Sequence, residues 1–341
     1  MSFCASIKEL SIQLGTSMSR YSNTSSVPLS LAVFLATDNY DHDAETISAT
    51  ALIKPIRQLV LASRVPKEDS AIDLTQMVAS RIGTAIHDGI ERSWLHNYTS
   101  AMQLLGYPAK VIDRIRINPD PEDLNDEIIP IYLEKRSYRK VGKHVISGKF
   151  DFVGEGRVED FKSTSVYTAI NSTNNDKYIL QGSIYRWLNP AIITQTEMAI
   201  QYIFTDWSSA KAKSDPTYPQ QRFQQLILPL KSLQETEMYV TSKLAQIDLY
   251  MDKPEAELPL CSDEDLWRSA PVFKYYKNPE KTARSTKNFE TKQEAMIRMA
   301  EDGGKGLVLE QPGQAMACKW CSAFALCSQK DVLIASGDLI V

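Results

Sequence analysis

Features that mark membrane proteins, repeat arrays and nucleic-acid coats are missing from this sequence. No apolar run approaches the roughly 20 residues that span a bilayer; the best candidate, Val27 to Ala36, is too short and is broken by Pro28 and Ser30. The first residues lack the charged-then-apolar order of a signal peptide, so a cytoplasmic location and no membrane partner are expected. No internal repeat or low-complexity tract is visible, which sets solenoid architectures aside. An excess of positive charge is also absent: 38 Lys and Arg against 42 Asp and Glu leave −4. That excludes a global basic footprint, which weakens a non-specific nucleic-acid binder more than an enzyme that needs only a local basic track. Cysteine is scarce, with five in 341 residues, yet Cys318, Cys321 and Cys327 crowd together far from Cys4 and Cys261. In a cytoplasmic chain such crowding suggests metal ligation before disulfides.

The composition, 43% hydrophobic and 23% charged, suits one large domain with a smaller appendage. Residues 1–44 are Ser/Thr-rich and read as an N-terminal extension with a short helix near Ile7 to Leu14. From Ile47 to Arg64 apolar residues recur at helical spacing, interrupted at Pro55. A helix fits Leu74 to Trp94, with Leu74, Met77, Val78, Ile82, Ala85, Ile86, Gly89 and Ile90 in one stripe. Strands begin near Ile129, and Val145 to Ser163 reads as a hairpin turning at Gly154-Glu155-Gly156. Then follow a helix over Asp176 to Leu188, strands over Glu197 to Phe204 and Phe223 to Leu230, and a helix over Ser232 to Met251. Pro254 to Pro259 reads as a linker. Thr291 and Glu294 make a capping-box pattern opening a helix, and a strand-like Gly306 to Glu310 leads into the cysteines. The expected division is an extension (1–44), a core (45–252) and a C-terminal region (253–341).

The hairpin carries the chemistry. If Glu155-Gly156 is a two-residue turn, Asp151 lies across from Asp160 on one face, and Lys162 shares that face. A three-residue loop would put Glu159 there instead, and the sequence leaves that register open. Two converging carboxylates and a lysine suit a hard divalent cation that activates water and a cation that offsets transition-state charge. The plain alternative is a solvated hairpin face. Phe150, Phe152, Val158 and Phe161 argue against it, because strands flanked by bulky apolar residues are buried, and buried Asp and Lys need partners or a job.

The runs GTAIHDGIE, GKFDFV, VEDFKST and QGSIYRW, in that order, resemble the RecB-like branch of the PD-(D/E)XK nuclease superfamily over about residues 45 to 250. The resemblance implies an α/β restriction-endonuclease-like core, a central mixed sheet flanked by helices, followed by a small cysteine-clamped region. It implies that His87, Asp151, Asp160 and the Phe161 carbonyl ligate Mg²⁺ or Mn²⁺. Lys162 would be catalytic with the two aspartates, and Gln181, Tyr185 and Tyr178 would contact DNA backbone. The activity implied is an exonuclease, phage-encoded and in the host cytoplasm, serving replication, recombination or host-DNA breakdown. Its DNA would be single-stranded or have a free end, with a helicase or recombination partner.

Cys318-x2-Cys321-x5-Cys327 is compact enough for one soft-metal centre. The fourth ligand is Cys261 or Cys4, and Cys261 is favoured by its resemblance to a Pro-x-Cys-(Ser/Thr) run in phage nucleases of this type. An iron–sulfur cluster is favoured over zinc by the resemblance alone. The upstream cysteine of several relatives is absent here, where Lys54-Pro55-Ile56-Arg57-Gln58 stands. Between Val272 and Lys292, Lys274, Lys277, Lys281, Arg284, Lys287 and Lys292 interleave with Phe273, Tyr275, Tyr276 and Phe289, a composition suited to a single-stranded path or to a solvated surface. Two rivals stand beside the nuclease: a non-catalytic nucleic-acid-binding or assembly protein on the same fold, and a zinc-bearing interaction protein. Intact His87, Asp151, Asp160 and Lys162 argue against the first.

Overall fold

The computed structural model describes residues 21–38, 43, 45–66 and 72–341; the expected helix near Ile7 to Leu14, Cys4 and His42 lie outside them. The chain divides into two compact units. The first takes the described residues up to Ile53 and Pro66–Lys243; the second takes Lys54–Val65 and Leu244–Val341.

The first unit is α/β, built on a mixed, curled sheet flanked by helices. Its strands are β1 (Ile47–Ser48), β2 (Ile115–Ile117), β3 (Ile129–Val141), β4 (His144–Gly154), β5 (Arg157–Thr164), β6 (Glu197–Phe204) and β7 (Phe223–Pro229). The order is β2-β3-β4-β5-β6-β7, with β1 also on β4. The β4–β5 turn is the two-residue Glu155-Gly156, since Gly154 pairs with Arg157. Both turn residues have positive φ, 51° and 77°, which matches the right-handed strand twist. A parallel pair cannot close through a tight turn. The helix Asn175–Leu188 therefore crosses between β5 and β6, and it stops at Asn189, whose N–H returns to the Tyr185 and Arg186 carbonyls just before Pro190.

The pairing around β4 opens where the motif lies. One edge of β4 is laddered to β3 along its length. The other edge pairs with β5 only over Phe152–Gly154 and with β1 at Ile146 and Ser147. Between those two contacts Gly148-Lys149-Phe150-Asp151 has no strand on that edge, so β1 and β5 fork away and leave a cleft.

The expected helix over Leu74 to Trp94 is a 3-10 turn, Leu74–Met77, running into the helix Val78–His96. Its apolar stripe is covered only in part: Leu74 is buried and Ile86 and Ile90 are half-buried, whereas Val78 and Ile82 are 40% and 42% exposed, and Ala85 and Gly89 are exposed as well. Within Val78–His96 the buried residue is Arg81, whose Nε–H donates to the Leu35 carbonyl at 3.1 Å. The covered face mixes polar with apolar residues, since His87 is half-buried beside Ile86 and Ile90. No helix among the described residues is long and apolar enough to cross a membrane.

In the second unit β8 (Val272–Tyr276) lies between β9 (Lys287–Phe289) and β10 (Leu307–Gln311). The helix Lys292–Glu301 packs on them and opens with the complete Thr291/Glu294 capping box. Tyr275 and Tyr276 are buried, 0% and 6% exposed. They are core residues and are not available to stack on bases, which removes two of the four aromatics from the run that suited a single-stranded path or a solvated surface. Pro254 to Pro259 is not a free linker either: Leu258 is buried, and the Glu255 carboxylate caps Ser328.

Candidate metal centre and cysteine cluster

Three side chains converge in the fork. The His87, Glu134 and Asp151 ligand atoms all lie within 4.8 Å of one another, the one such group of His, Cys, Asp and Glu among the described residues. His87 Nδ1 is 3.3 Å from Asp151 Oδ2 and 4.0 Å from Glu134 Oε1. Its Nε2 faces the Phe161 carbonyl at 2.9 Å. Each carboxylate is fixed from a different strand. Asp151 accepts the Phe161 N–H at 3.2 Å, a donor that the opened ladder leaves free. Glu134 pairs with Lys149 Nζ at 2.5 Å.

Glu134 was not singled out in the sequence. It lies in the middle of β3 with φ 46°, a left-handed conformation that costs a non-glycine residue about 1 kcal/mol or more. The ladder pairs Leu133 with Phe152 and Lys135 with Phe150, and passes over Glu134 and Asp151 between them. The signal that could have found Glu134 is the second hairpin. Val141 pairs with His144 across Gly142-Lys143, and counting back from that turn brings Glu134 opposite Asp151.

Asp160 lies beside this group but is not a member of it. The two-residue turn sets the register Gly154–Arg157, Val153–Val158 and Phe152–Glu159, and the pairing ends there, one residue short of Asp151 and Asp160. The Asp160 carboxylate is 2% exposed and meets Lys162 Nζ at 2.5 Å and Gln181 Nε2 at 3.4 Å. Glu159 is engaged elsewhere, with Arg157 at 3.0 Å and Gln201 at 2.7 Å. Gln181 also donates to the Tyr185 hydroxyl at 2.8 Å, and Lys162 Nζ lies 5.6 Å from the centre of the Tyr178 ring. Tyr178 and Tyr185 are buried, 8% and 4% exposed, so in this conformation they pack around Lys162 and Gln181. Gly148 makes room for Tyr185, since a Cβ there would sit 2.6 Å from Leu188 Cδ1 and 3.1 Å from Tyr185 Cδ1. The cleft, about 510 Å³, is lined by His87, Glu134, Lys149, Asp151, Phe161, Lys162 and Tyr185 among others.

The charges are strongly coupled. Burial works against the His87 imidazolium, but Asp151, Asp160 and the Phe161 carbonyl outweigh it and hold its pKa above the ordinary histidine value. Both ring nitrogens face oxygen acceptors, which suits the doubly protonated ring. Burial pushes the Glu134 carboxyl up, with Asp151 adding to it and Lys149 and His87 opposing. Burial likewise raises Asp160 against the pull of Lys162. On Lys162 burial acts downward, but Asp160 and Asp151 prevail and keep it charged. Carboxylates crowded against a histidine, with a lysine alongside, form a nitrogen-and-oxygen donor set matched to a hard or borderline divalent cation.

The four described cysteines lie in the second unit, and no three of their sulfurs lie within 4.8 Å of one another. Cys261, Cys318, Cys321 and Cys327 are free and half-buried. Successive 3-10 turns, Met316–Trp320 and Phe324–Leu326, separate the last three. Gln329, two residues after Cys327, clamps the Cys261 backbone from both sides: its Oε1 accepts the Cys261 N–H and its Nε2 donates to the Cys261 carbonyl, each at 2.9 Å. Cys261 and Cys318 pack on a small core of Leu266, Ala315, Leu333 and Leu339. Burial, with Asp265, Cys327 and Cys321 adding to it, pushes the Cys261 thiol up to about 12.

No protein-family model matches the chain, and no curated protein sequence does. Among solved structures it is similar to SSO0001, at 17% identity and a TM-score of 0.40 over 68% of this chain and 92% of that one. It is also similar to a phage-related exonuclease from Haemophilus somnus 129PT, at 14% identity and a TM-score of 0.27 over 63% of this chain and 96% of that one. Likenesses this faint carry no argument about activity.

Proposed function

We propose that the chain is a divalent-metal-dependent nuclease of the PD-(D/E)XK type that hydrolyses DNA phosphodiesters, acting as an exonuclease. The observation that carries this reading is the convergence of His87, Glu134 and Asp151 in an open cleft, beside the half-buried Lys162 paired with a buried Asp160. Glu134 joins the ligands expected from the sequence, and the Phe161 carbonyl stands within reach of His87. Mg²⁺ or Mn²⁺ held there would supply Lewis-acid activation of water and neutralise charge on the phosphate.

The protein's own groups do the rest. Asp160, fixed by Gln181, holds Lys162 charged and aimed, so its ammonium can orient the attacking water and meet the charge that develops on the phosphate. Lys149 steadies Glu134 and offsets part of the negative charge that a phosphodiester would meet. Gln181, whose amide donates to Asp160 and to the Tyr185 hydroxyl, is read as a contact to DNA backbone, with Tyr178 and Tyr185 buried beside it. In the second unit the four free cysteines are read as one structural metal centre, an iron–sulfur cluster with zinc as the alternative. The Gln329 clamp supports Cys261 as the fourth ligand.

The deciding experiment is a cleavage assay on end-labelled single- and double-stranded DNA with Mg²⁺, Mn²⁺ or chelator, on anaerobically purified protein. Metal-dependent release of nucleotides from ends is expected. DNA binding without cleavage under any metal would favour the non-catalytic reading.

A further inference from the structure

One buried cation has no part in the phosphodiester site. Arg57, in the helix Ile56–Arg64 of the second unit, is 2% exposed. A guanidinium has five N–H donors, and here every one finds an acceptor. NH1 reaches the Glu255 and Leu258 carbonyls at 3.4 and 3.2 Å. NH2 reaches Ser328 Oγ at 3.2 Å and pairs with the Glu255 carboxylate. The remaining donor, Nε, points at Cys327 Sγ at 3.2 Å.

That last contact is chemically revealing. A neutral thiol is a weak acceptor, and a buried arginine N–H that settles for one forfeits most of a hydrogen bond. At 3.2 Å the contact has the geometry of an N–H donated to a ligating sulfur, the kind of outer partner that metal ligands carry. Around it the geometry is rigid: Glu255 also accepts the Ser328 N–H and hydroxyl, at 3.1 and 2.8 Å, fixing the residue that follows Cys327. Arg57 thus reaches across 198 positions of sequence to Glu255 and orders the segment that presents one ligand of the cysteine set.

We infer that Arg57 is the positioning residue of the cysteine centre, donating Nε–H to Cys327 Sγ while that sulfur ligates metal. This rests on the reading that the four cysteines share one centre. Donation to a ligating sulfur withdraws charge from it, slows loss of the metal and, for an iron–sulfur cluster, raises the reduction potential; losing such an outer partner costs roughly 10–100-fold in metal affinity.

The test uses the full chain, purified anaerobically, with iron, sulfide and zinc determined first. Wild-type protein that carries none of them would overturn the cysteine-centre reading itself. With metal present, chelator-driven release, the absorption spectrum and, for iron, the reduction potential are compared across Arg57→Gln, Arg57→Lys and Glu255→Gln. Release about tenfold or more faster, a shifted spectrum and a more negative potential are expected for Arg57→Gln, with Arg57→Lys between it and wild type. Glu255→Gln keeps the N–H to sulfur and should lower the melting temperature while leaving the spectrum in place. If Arg57→Gln does not fold, Arg57→Lys carries the comparison. A folded Arg57 variant with wild-type release rate and spectrum overturns the inference.

Discussion

Replacing Glu134 by alanine and by glycine separates its backbone role from its chemical one. Both changes remove the carboxylate that stands with His87 and Asp151; only the glycine also relieves the left-handed backbone at φ 46°. In an ordinary strand, glycine is less stable than alanine by roughly 0.5–1 kcal/mol. At a left-handed position alanine instead loses about 1–2 kcal/mol to its Cβ. The difference puts Glu134→Gly about 0.5–1 kcal/mol above Glu134→Ala. For a unit of this size that is a melting temperature higher by roughly 1–4 °C. Differential scanning calorimetry on the transition of the first unit reads it. Both variants should bind Mn²⁺ weaker by an order of magnitude or more in a calorimetric titration, because the site loses a charged ligand. Stability and metal affinity then move in opposite directions between wild type and Glu134→Gly if the strain is held for function. An alanine variant more stable than the glycine variant refutes the backbone argument, and unchanged Mn²⁺ affinity refutes the ligand role.

Asp151→Ala, Asp160→Ala and Lys162→Ala should each abolish cleavage of end-labelled DNA, whereas Glu159→Ala, whose carboxylate is taken by Arg157 and Gln201, should keep it; activity in all of the first three would end the nuclease reading. Lys162→Met should also destabilise the first unit by about 3–5 kcal/mol in urea unfolding, because it strands a buried carboxylate; a change under about 1 kcal/mol would mean that Asp160 is neutral or solvated. A proton on His87 competes with metal, and its pKa lies above the usual histidine value. Apparent Mn²⁺ affinity should therefore rise with pH through and beyond about 6.5, a slope that His87→Ala removes; an identical slope in that variant would exclude His87 as the competing site. Cys261→Ser should lower metal content and melting temperature together while leaving residual cleavage, as measured by elemental analysis and calorimetry; full metal content in that variant would exclude Cys261 as a ligand.

Local pattern was enough to place most elements near the site. The Glu155-Gly156 turn follows from residues that tolerate positive φ, and period-two geometry puts Lys162 beside Asp160, although the pairing ends before it reaches Asp151. The Thr291/Glu294 cap was legible for the same reason, since its partners are three residues apart. Tertiary structure alone decided what depends on partners far along the chain. The Gly142-Lys143 turn sets Glu134 opposite Asp151, but only the fold opens the ladder there and brings His87 to the pair. The apolar stripe of Val78–His96 is only partly covered, because a helix beside a charged cleft buries Arg81 and half-buries His87 while Val78 and Ile82 stay exposed. The charge run at Val272–Lys292 could not reveal that Tyr275 and Tyr276 are core, as burial depends on what packs above the sheet. Arg57 is one arginine in an amphipathic helix until the fold sets Glu255, Leu258, Cys327 and Ser328 around it: sequence spacing encodes contacts within a turn or hairpin, and only chain closure brings together groups some two hundred residues apart.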